Sequence, residues 1–472
     1  MKQRSTPRFA KTGTGINGLD EVMNGGFPKG RTTLICGSAG CGKTLFGIQF
    51  LVNGIRDYNE PGVFMSFEES KTDLSQNVQS LGIDLDDLIS KKKLRVDHVH
   101  IERSEIEETG EYDLEGLFIR LNHAIDSIGA KRVVLDTVES LFGGIANESV
   151  LRAELRRLFT WLKQKGVTAI VTGERGEKTL TRQGLEEYVS DCVILLDFRV
   201  IEQIATRRLR IVKYRGSTHG TNEYPFLIDE NGISVLPITS IKLEHKISEE
   251  IISTGNKGID ALIAKQGIYR GSSILITGSA GTAKTILASQ FALNSCKHKE
   301  RTLYFSFEES PEQLTRNMMS VGINLKPYIR PKTLIMHSSR PSLVGLEMHL
   351  LVLHKLIEHY HPKTVIIDPI SSLINVGTIV EVRDMLVRLI DLLKTNSINA
   401  VFTALTHEDQ KIEKDSTINA VSSLADIWIK LENEMDKDER RRSLRIVKVR
   451  GMGHSSASHS FEITDKGILL NK

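Results

Sequence analysis

Gly37-Ser38-Ala39-Gly40-Cys41-Gly42-Lys43-Thr44 spells a G-x-x-x-x-G-K-T loop, and a close copy returns half a chain later as Gly278-Ser279-Ala280-Gly281-Thr282-Ala283-Lys284-Thr285. The first copy follows an apolar, strand-like run (Thr33, Leu34, Ile35, Cys36) and precedes a helix-like one (Leu45, Phe46, Ile48, Phe50, Leu51). A phosphate cradle needs that strand-loop-helix context. Small residues let backbone N–H groups close around phosphates, and the helix amino terminus adds partial positive charge. Lys43 and Lys284 are then placed for the outer phosphates of ATP, with the Thr44 and Thr285 hydroxyls available to magnesium.

The repetition runs beyond the loops. Thr14-Gly15-Ile16-Asn17-Gly18-Leu19-Asp20 returns as Thr254-Gly255-Asn256-Lys257-Gly258-Ile259-Asp260, and Ser66-Phe67-Glu68-Glu69-Ser70 returns as Ser306-Phe307-Glu308-Glu309-Ser310. Val133-Val134-Leu135-Asp136 returns as Val365-Ile366-Ile367-Asp368. Leu209-Arg210-Ile211-Val212-Lys213-Tyr214-Arg215-Gly216 returns as Leu444-Arg445-Ile446-Val447-Lys448-Val449-Arg450-Gly451. Every pair keeps its order, so two copies of one domain are expected, residues 1–240 and 241–472. A chain of 472 residues also exceeds what one hydrophobic core usually organises. The junction is expected near Pro237 to Glu250, where charge replaces apolar sequence.

A formal charge of +3 argues against nucleic acid, and the basic runs Lys91-Lys92-Lys93 and Arg440-Arg441-Arg442 read as solvated loops. Cys36, Cys41, Cys192 and Cys296 show neither zinc spacing nor a disulfide pattern, which suits a reducing compartment and small core positions. No apolar span of membrane length and no signal core occurs, so a cytoplasmic protein is expected.

Val133 to Leu135, Ala169 to Thr172 and Val193 to Leu196 are continuous apolar runs separated by helical patterns such as Leu151 to Lys165. Such strands are covered on both faces, which predicts an α/β fold with a mostly parallel sheet flanked by helices in each half. Asp136 and Asp368 close strands at the end where such folds bind ligands, and are assigned with Thr44 and Thr285 to a magnesium site rather than to helix caps. Glu68-Glu69 and Glu308-Glu309 close strands in the same way. A carboxylate beside a terminal phosphate can orient and deprotonate a nucleophile; the alternative is a charge pair in a helix first turn. Lys213-x-Arg215 and Lys448-x-Arg450 put two cations on one face of a strand, either as a cationic finger for a triphosphate or as the blunting of an edge strand.

The tandem halves, the Glu-Glu pairs and the Lys-x-Arg-Gly strands together resemble the KaiC family, clock-type autokinases and ATPases of the RecA-like superfamily, over nearly the whole chain. The resemblance implies two tandem RecA-like P-loop NTPase domains in a double-ring homohexamer, with ATP held between neighbouring subunits. It implies that Lys213, Arg215 and His219 act in trans on the first ring's nucleotide, and Lys448, Arg450 and His454 on the second. It also makes Thr417, Ser422 and Ser423 the phosphoacceptors, aligned opposite Arg182, Glu187 and Tyr188 of the first half in that order, where no paired hydroxyls occur. Without it, Ser422-Ser423 would read as a turn or helix start. Glu68, helped by Glu69, is then expected to activate water, and Glu308, beside Glu309, to accept a proton from a neighbour's serine.

Three departures bear on this. Ala283 replaces the glycine before the P-loop lysine, which is tolerable if that residue is already helical. The acceptor pair is Ser-Ser rather than Ser-Thr. The chain stops soon after Phe461 to Gly467, so control by KaiA through a longer tail is not expected, whereas KaiB remains a candidate partner of the first ring. Two rival classes make different predictions: a RecA-like DNA-stimulated ATPase or recombinase adaptor, and a non-catalytic ATP-gated scaffold needing neither the Glu pairs nor the acceptor hydroxyls.

Overall fold

A computed structural model describes residues 10–99, 114–142, 148–176, 180–181, 190–201, 204–237, 248–406, 421–436 and 439–471. The chain divides into two compact units, Met1–Ser240 and Ile241–Lys472. In the first, β1 (Lys11–Thr12) and β2 (Phe27–Pro28) form a small antiparallel pair. The large sheet comprises β3 (Thr32–Gly37), β4 (Gly62–Ser66), β5 (Leu94–His98), β6 (Arg132–Asp136), β7 (Thr168–Glu174), β8 (Cys192–Ile201), β9 (Ile204–Tyr214), β10 (Glu223–Asp229) and β11 (Gly232–Val235). In the second unit β12 (Ile251–Ile252) pairs with β13 (Ile268–Tyr269). Its large sheet comprises β14 (Ser273–Gly278), β15 (Thr302–Ser306), β16 (Leu334–Ser338), β17 (Thr364–Asp368), β18 (Asn399–Leu405), β19 (Ile427–Asp436), β20 (Glu439–Val449), β21 (Ser458–Thr464) and β22 (Gly467–Leu470).

The two large sheets have the same spatial order, β5-β4-β6-β7-β3-β8-β9-β10-β11 and β16-β15-β17-β18-β14-β19-β20-β21-β22. Six strands run parallel in each, and the last three continue the sheet as an antiparallel ribbon. The apolar runs divide by the two-residue period of a strand. Val134 and Ile170 pack with Phe46 and Phe50 of the helix Lys43–Tyr58 on one face, whereas Val133, Leu135, Ala169 and Val171 pack with Leu121 and Leu158 of two other helices on the opposite face. All four cysteines are buried, and none is in a disulfide. No helix among the described residues is long and apolar enough to cross a membrane.

The repeated Thr-Gly-x-x-Gly-x-Asp segment is a turn tied by its own carboxylate. Asp20 Oδ1 accepts from the Thr14 amide at 2.8 Å and its hydroxyl at 2.7 Å, and Asp260 Oδ1 accepts from the Thr254 amide at 2.9 Å and its hydroxyl at 2.6 Å. These bonds satisfy backbone groups ahead of the P-loop strand, which gives the motif an architectural use.

Candidate nucleotide and phosphoryl-transfer sites

Each P-loop joins the carboxyl end of a central strand, β3 or β14, to a helix beginning at its lysine. Lys43 Nζ donates to the carbonyls of Gly37 and Ser38 at 2.9 and 3.1 Å, and Lys284 Nζ to those of Gly278 and Ser279 at 2.8 and 2.7 Å. Both lysines thus lie folded over their own loops. Burial lowers the Lys284 pKa to about 8, against the opposing pull of Asp368 and Glu308. Gly42 has φ 103°, as only a residue without Cβ adopts freely; Ala283 holds the equivalent place at φ 74°. Ala283 is therefore left-handed, not helical, so the condition that would have made its methyl harmless is not met. The methyl is accommodated in the core beside Leu287.

Asp136 and Asp368 stand on β6 and β17, and both are buried. Asp136 Oδ2 accepts from Thr44 Oγ1 at 2.8 Å and Oδ1 from Thr172. Burial raises the Asp136 pKa, and the two hydroxyl bonds oppose it. Asp368 Oδ1 likewise accepts from Thr403, but its Oδ2 accepts from the Tyr304 phenol at 2.7 Å, with no Thr285 bond corresponding to that of Thr44. One carboxylate and one P-loop hydroxyl suit magnesium, which keeps several waters and takes its remaining ligands from phosphates. Among the described residues there is no cluster of three or more His, Cys, Asp or Glu that would suggest a dedicated protein cage.

The Glu pairs divide their contacts. Glu68 Oε1 accepts from Thr137 Oγ1 at 2.9 Å and Ser140 Oγ at 2.7 Å, and Glu308 Oε1 accepts from Ser372 Oγ at 3.0 Å, so each first glutamate is held beside the aspartate strand. Each second glutamate turns the other way: Glu69 accepts from Asn77 and Glu309 from Asn317, both at 3.1 Å, on the helices that follow. Those helices are capped by Ser70 and Ser310, so the acidic pairs precede the first turn rather than occupy it. Glu309 has its pKa raised chiefly by burial, and its Oε2 is buried with no hydrogen-bond partner among the described residues.

The Lys-x-Arg segments end β9 and β20, which are interior strands. However, β10 and β21 pair only with residues 208–210 and 442–445, so Lys213 and Lys448 stand where their strand has a neighbour on one side only, and the strand order does not remove the edge-blunting alternative. They lie at the opposite end of the sheet from the P-loop. Tyr214 pairs with Cys192, and Cys192 with Thr33, four residues before Gly37; Val449 pairs with Ile427, and Ile427 with Ile274, four residues before Gly278. At the rise of an extended strand that is roughly 13 Å. Arg215 lines a cleft of about 340 Å³ with Arg156, Lys163 and Asp191, so three cations face one carboxylate. His219 shares this end, its Nδ1 2.8 Å from the Gly220 carbonyl, and His454 bridges to Ile263.

Ser422 and Ser423 belong to the same end of the second unit. They lie in a short helical turn closed by Leu424 and Ala425 amides on the Val421 carbonyl. Lys448 Nζ donates to the carbonyls of Ser422, Ser423 and Ala425 at 3.0, 3.4 and 2.7 Å, and Arg450 to that of Ser423 at 3.1 Å. Thr417 lies outside the described residues, as do Arg182, Glu187 and Tyr188. Sequence reasoning missed two groups over the second P-loop: Arg442 Nε donates to the Gly281 carbonyl at 3.5 Å, and Asn433 Nδ2 to Ser279 Oγ at 3.4 Å. Arg442 was absorbed in the basic run read as solvated loop, which is in fact part of strand β20.

The comparisons with known proteins agree with this duplicated geometry. The family described as "ATPase: KaiC" matches twice, over residues 12–240 and 252–472. The chain is 54% identical over 460 residues to the circadian clock protein KaiC2 of Synechocystis sp., covering 98% of this chain and 81% of that protein. It is 37% identical over 462 residues to the circadian clock oscillator protein KaiC of Synechococcus elongatus, covering 97% and 88% respectively. A KaiC of Thermostichus vulcanus is also 37% identical, over 468 residues. Two family matches and these likenesses over nearly the whole of this chain do not favour the DNA-stimulated motor, and the chain belongs to the KaiC ATPase family.

Proposed function

We propose that this chain works in the cytoplasm as a double-ring homohexameric clock or timer component, hydrolysing ATP in its first unit and phosphorylating Ser422, Ser423 and Thr417 of a neighbour in its second. What supports the reading is the separation within each unit: the Lys-x-Arg strand, and in the second unit the paired serines, lie at the sheet end away from that unit's own P-loop. Side chains at that end are of use to a nucleotide held by another copy.

In this scheme the backbone and lysine of each P-loop bind the triphosphate, with Thr44 and Asp136, or Thr285 and Asp368, holding magnesium. Magnesium, when bound, neutralises charge between the outer phosphates. Glu68 orients and deprotonates water. Glu308 takes the hydroxyl proton of a neighbour's serine, and its single hydroxyl contact leaves more acceptor capacity open than Glu68 has. Glu69 and Glu309 help by holding the following helices. Lys213, Arg215 and His219, and Lys448, Arg450 and His454, complete the neighbour's site, and KaiB is a candidate partner of the first ring. Each phosphate adds roughly −1.5 to −2 charge beside Lys448 and Arg450, enough to reorganise the seam.

A mixing experiment tests the trans arrangement. Glu308→Gln keeps the three acceptor hydroxyls, and the Thr417→Ala/Ser422→Ala/Ser423→Ala chain keeps the glutamate. Neither should take up label from γ-labelled ATP alone, and after mixing under exchange conditions label should appear on the Glu308→Gln chain. Label retained by the triple-alanine chain in its second unit, or no label after mixing, would refute the assignment.

A further inference from the structure

The aspartates on β6 and β17 are equivalent in position but are held by different partners. In the first unit the P-loop threonine itself, Thr44, donates to Asp136 Oδ2 at 2.8 Å. In the second, that place on Asp368 is taken at 2.7 Å by Tyr304, which stands on β15 where β4 carries Phe64. Tyr304 is wholly buried and Asp368 nearly so. A buried phenol needs an acceptor, and a buried carboxylate needs donors, so the pair satisfies both from the core side. With Thr403 on Oδ1, both Asp368 oxygens have a donor that owes nothing to the P-loop.

We infer that Tyr304 is a positioning residue for the divalent-cation site of the second unit, fixing Asp368 before metal or nucleotide arrives and leaving the Thr285 hydroxyl to face them. This rests on the reading of Asp368 and Thr285 as that site. In the first unit Thr172 holds Oδ1 as Thr403 does in the second, but Oδ2 takes its donor from Thr44, so that half of the carboxylate's placement depends on the state of the loop. In the second, it is independent of the loop. Outer partners of this kind commonly alter metal affinity by about ten- to a hundredfold when removed.

The test is Mn2+ binding, read from the paramagnetic resonance signal of free Mn2+, with the full chain loaded with a non-hydrolysable ATP analogue. Lys284→Ala identifies the binding class that belongs to the second unit. Tyr304→Phe removes one oxygen atom and keeps the ring, so the core remains filled. It should weaken the second-unit class about tenfold, leave the first-unit class in place, and leave analogue binding in excess chelator unchanged. A tyrosine with a merely structural part would lower the melting temperature of the nucleotide-free chain without moving the Mn2+ class. A folded Tyr304→Phe chain with an unmoved class overturns the inference. A class that persists in Lys284→Ala overturns instead the nucleotide-site reading beneath it, so the two failures are told apart.

Discussion

Ala283 holds a left-handed backbone that in the first unit belongs to glycine, and this single difference has opposite consequences in the two loops. A non-glycine residue there costs about 1–2 kcal/mol, offset at Ala283 by roughly 0.8 kcal/mol for a buried methyl. Ala283→Gly should therefore raise stability slightly, by under about 1 kcal/mol, whereas Gly42→Ala should lower it by about 1–2 kcal/mol. A Cβ at Gly42 would also lie 2.9 Å from Ile228 Cδ1, which must yield. Urea unfolding of each variant measures the signs. Lys284 supplies a second expectation. Its pKa falls from 10.5 to about 8 in the folded chain, so below pH 8 the buried charge is present at full cost. Between pH 8 and 10.5 the folded chain has released a proton the unfolded chain keeps, so nucleotide-free stability rises with pH across that window. Binding of the triphosphate, which needs the cation, should fall about tenfold per unit above pH 8. Titrating an ATP analogue against the Lys43→Ala chain from neutral to alkaline pH decides it; a flat profile rejects the account. These loops were legible in the sequence because their chemistry is local. The φ of Ala283 was not, since its tolerance depends on core neighbours distant in the chain.

The strands show a similar division. β3, β4, β6, β7 and β8 could be read from continuous apolar runs, because burial on both faces keeps their middle positions apolar and leaves polar residues such as Thr32, Ser66, Asp136 and Thr168 to the ends. The ribbon β8-β9 and its counterpart β19-β20 could not be placed so directly. Their charged residues, such as Arg207, Arg208 and Arg210, look like solvated surface, and only pairing shows that one strand runs from the P-loop to the far end. Arg442 on β20 follows from that path. Replacing it with Gln should weaken nucleotide binding by the second unit about tenfold, the usual scale for a hydrogen bond to a charged group, with little change in nucleotide-free stability. Isothermal titration of the Lys43→Ala/Arg442→Gln chain against Lys43→Ala measures this, and equal affinities would show that Arg442 serves the fold alone.

At the scale of the whole molecule, duplication is the feature most plainly written in the sequence, because five motifs recur in order and the two sheets share one strand order. If nucleotide bridges copies as proposed, assembly depends on its concentration. A ligand at a hundred times its dissociation constant stabilises the bound form by about 2.7 kcal/mol. Light scattering should therefore show rings forming on addition of ATP with magnesium and dissociating on dilution into chelator. Lys43→Ala and Lys284→Ala together should remain smaller at any ATP concentration. In that arrangement, with cradle and finishing cations at opposite ends of each sheet, copies would meet head to tail, and such contacts either close on themselves or propagate without limit. It follows that a protomer damaged at one end silences a single seam, while one damaged at both silences two, so poisoned mixtures should lose activity at a rate that reports how many ends were broken.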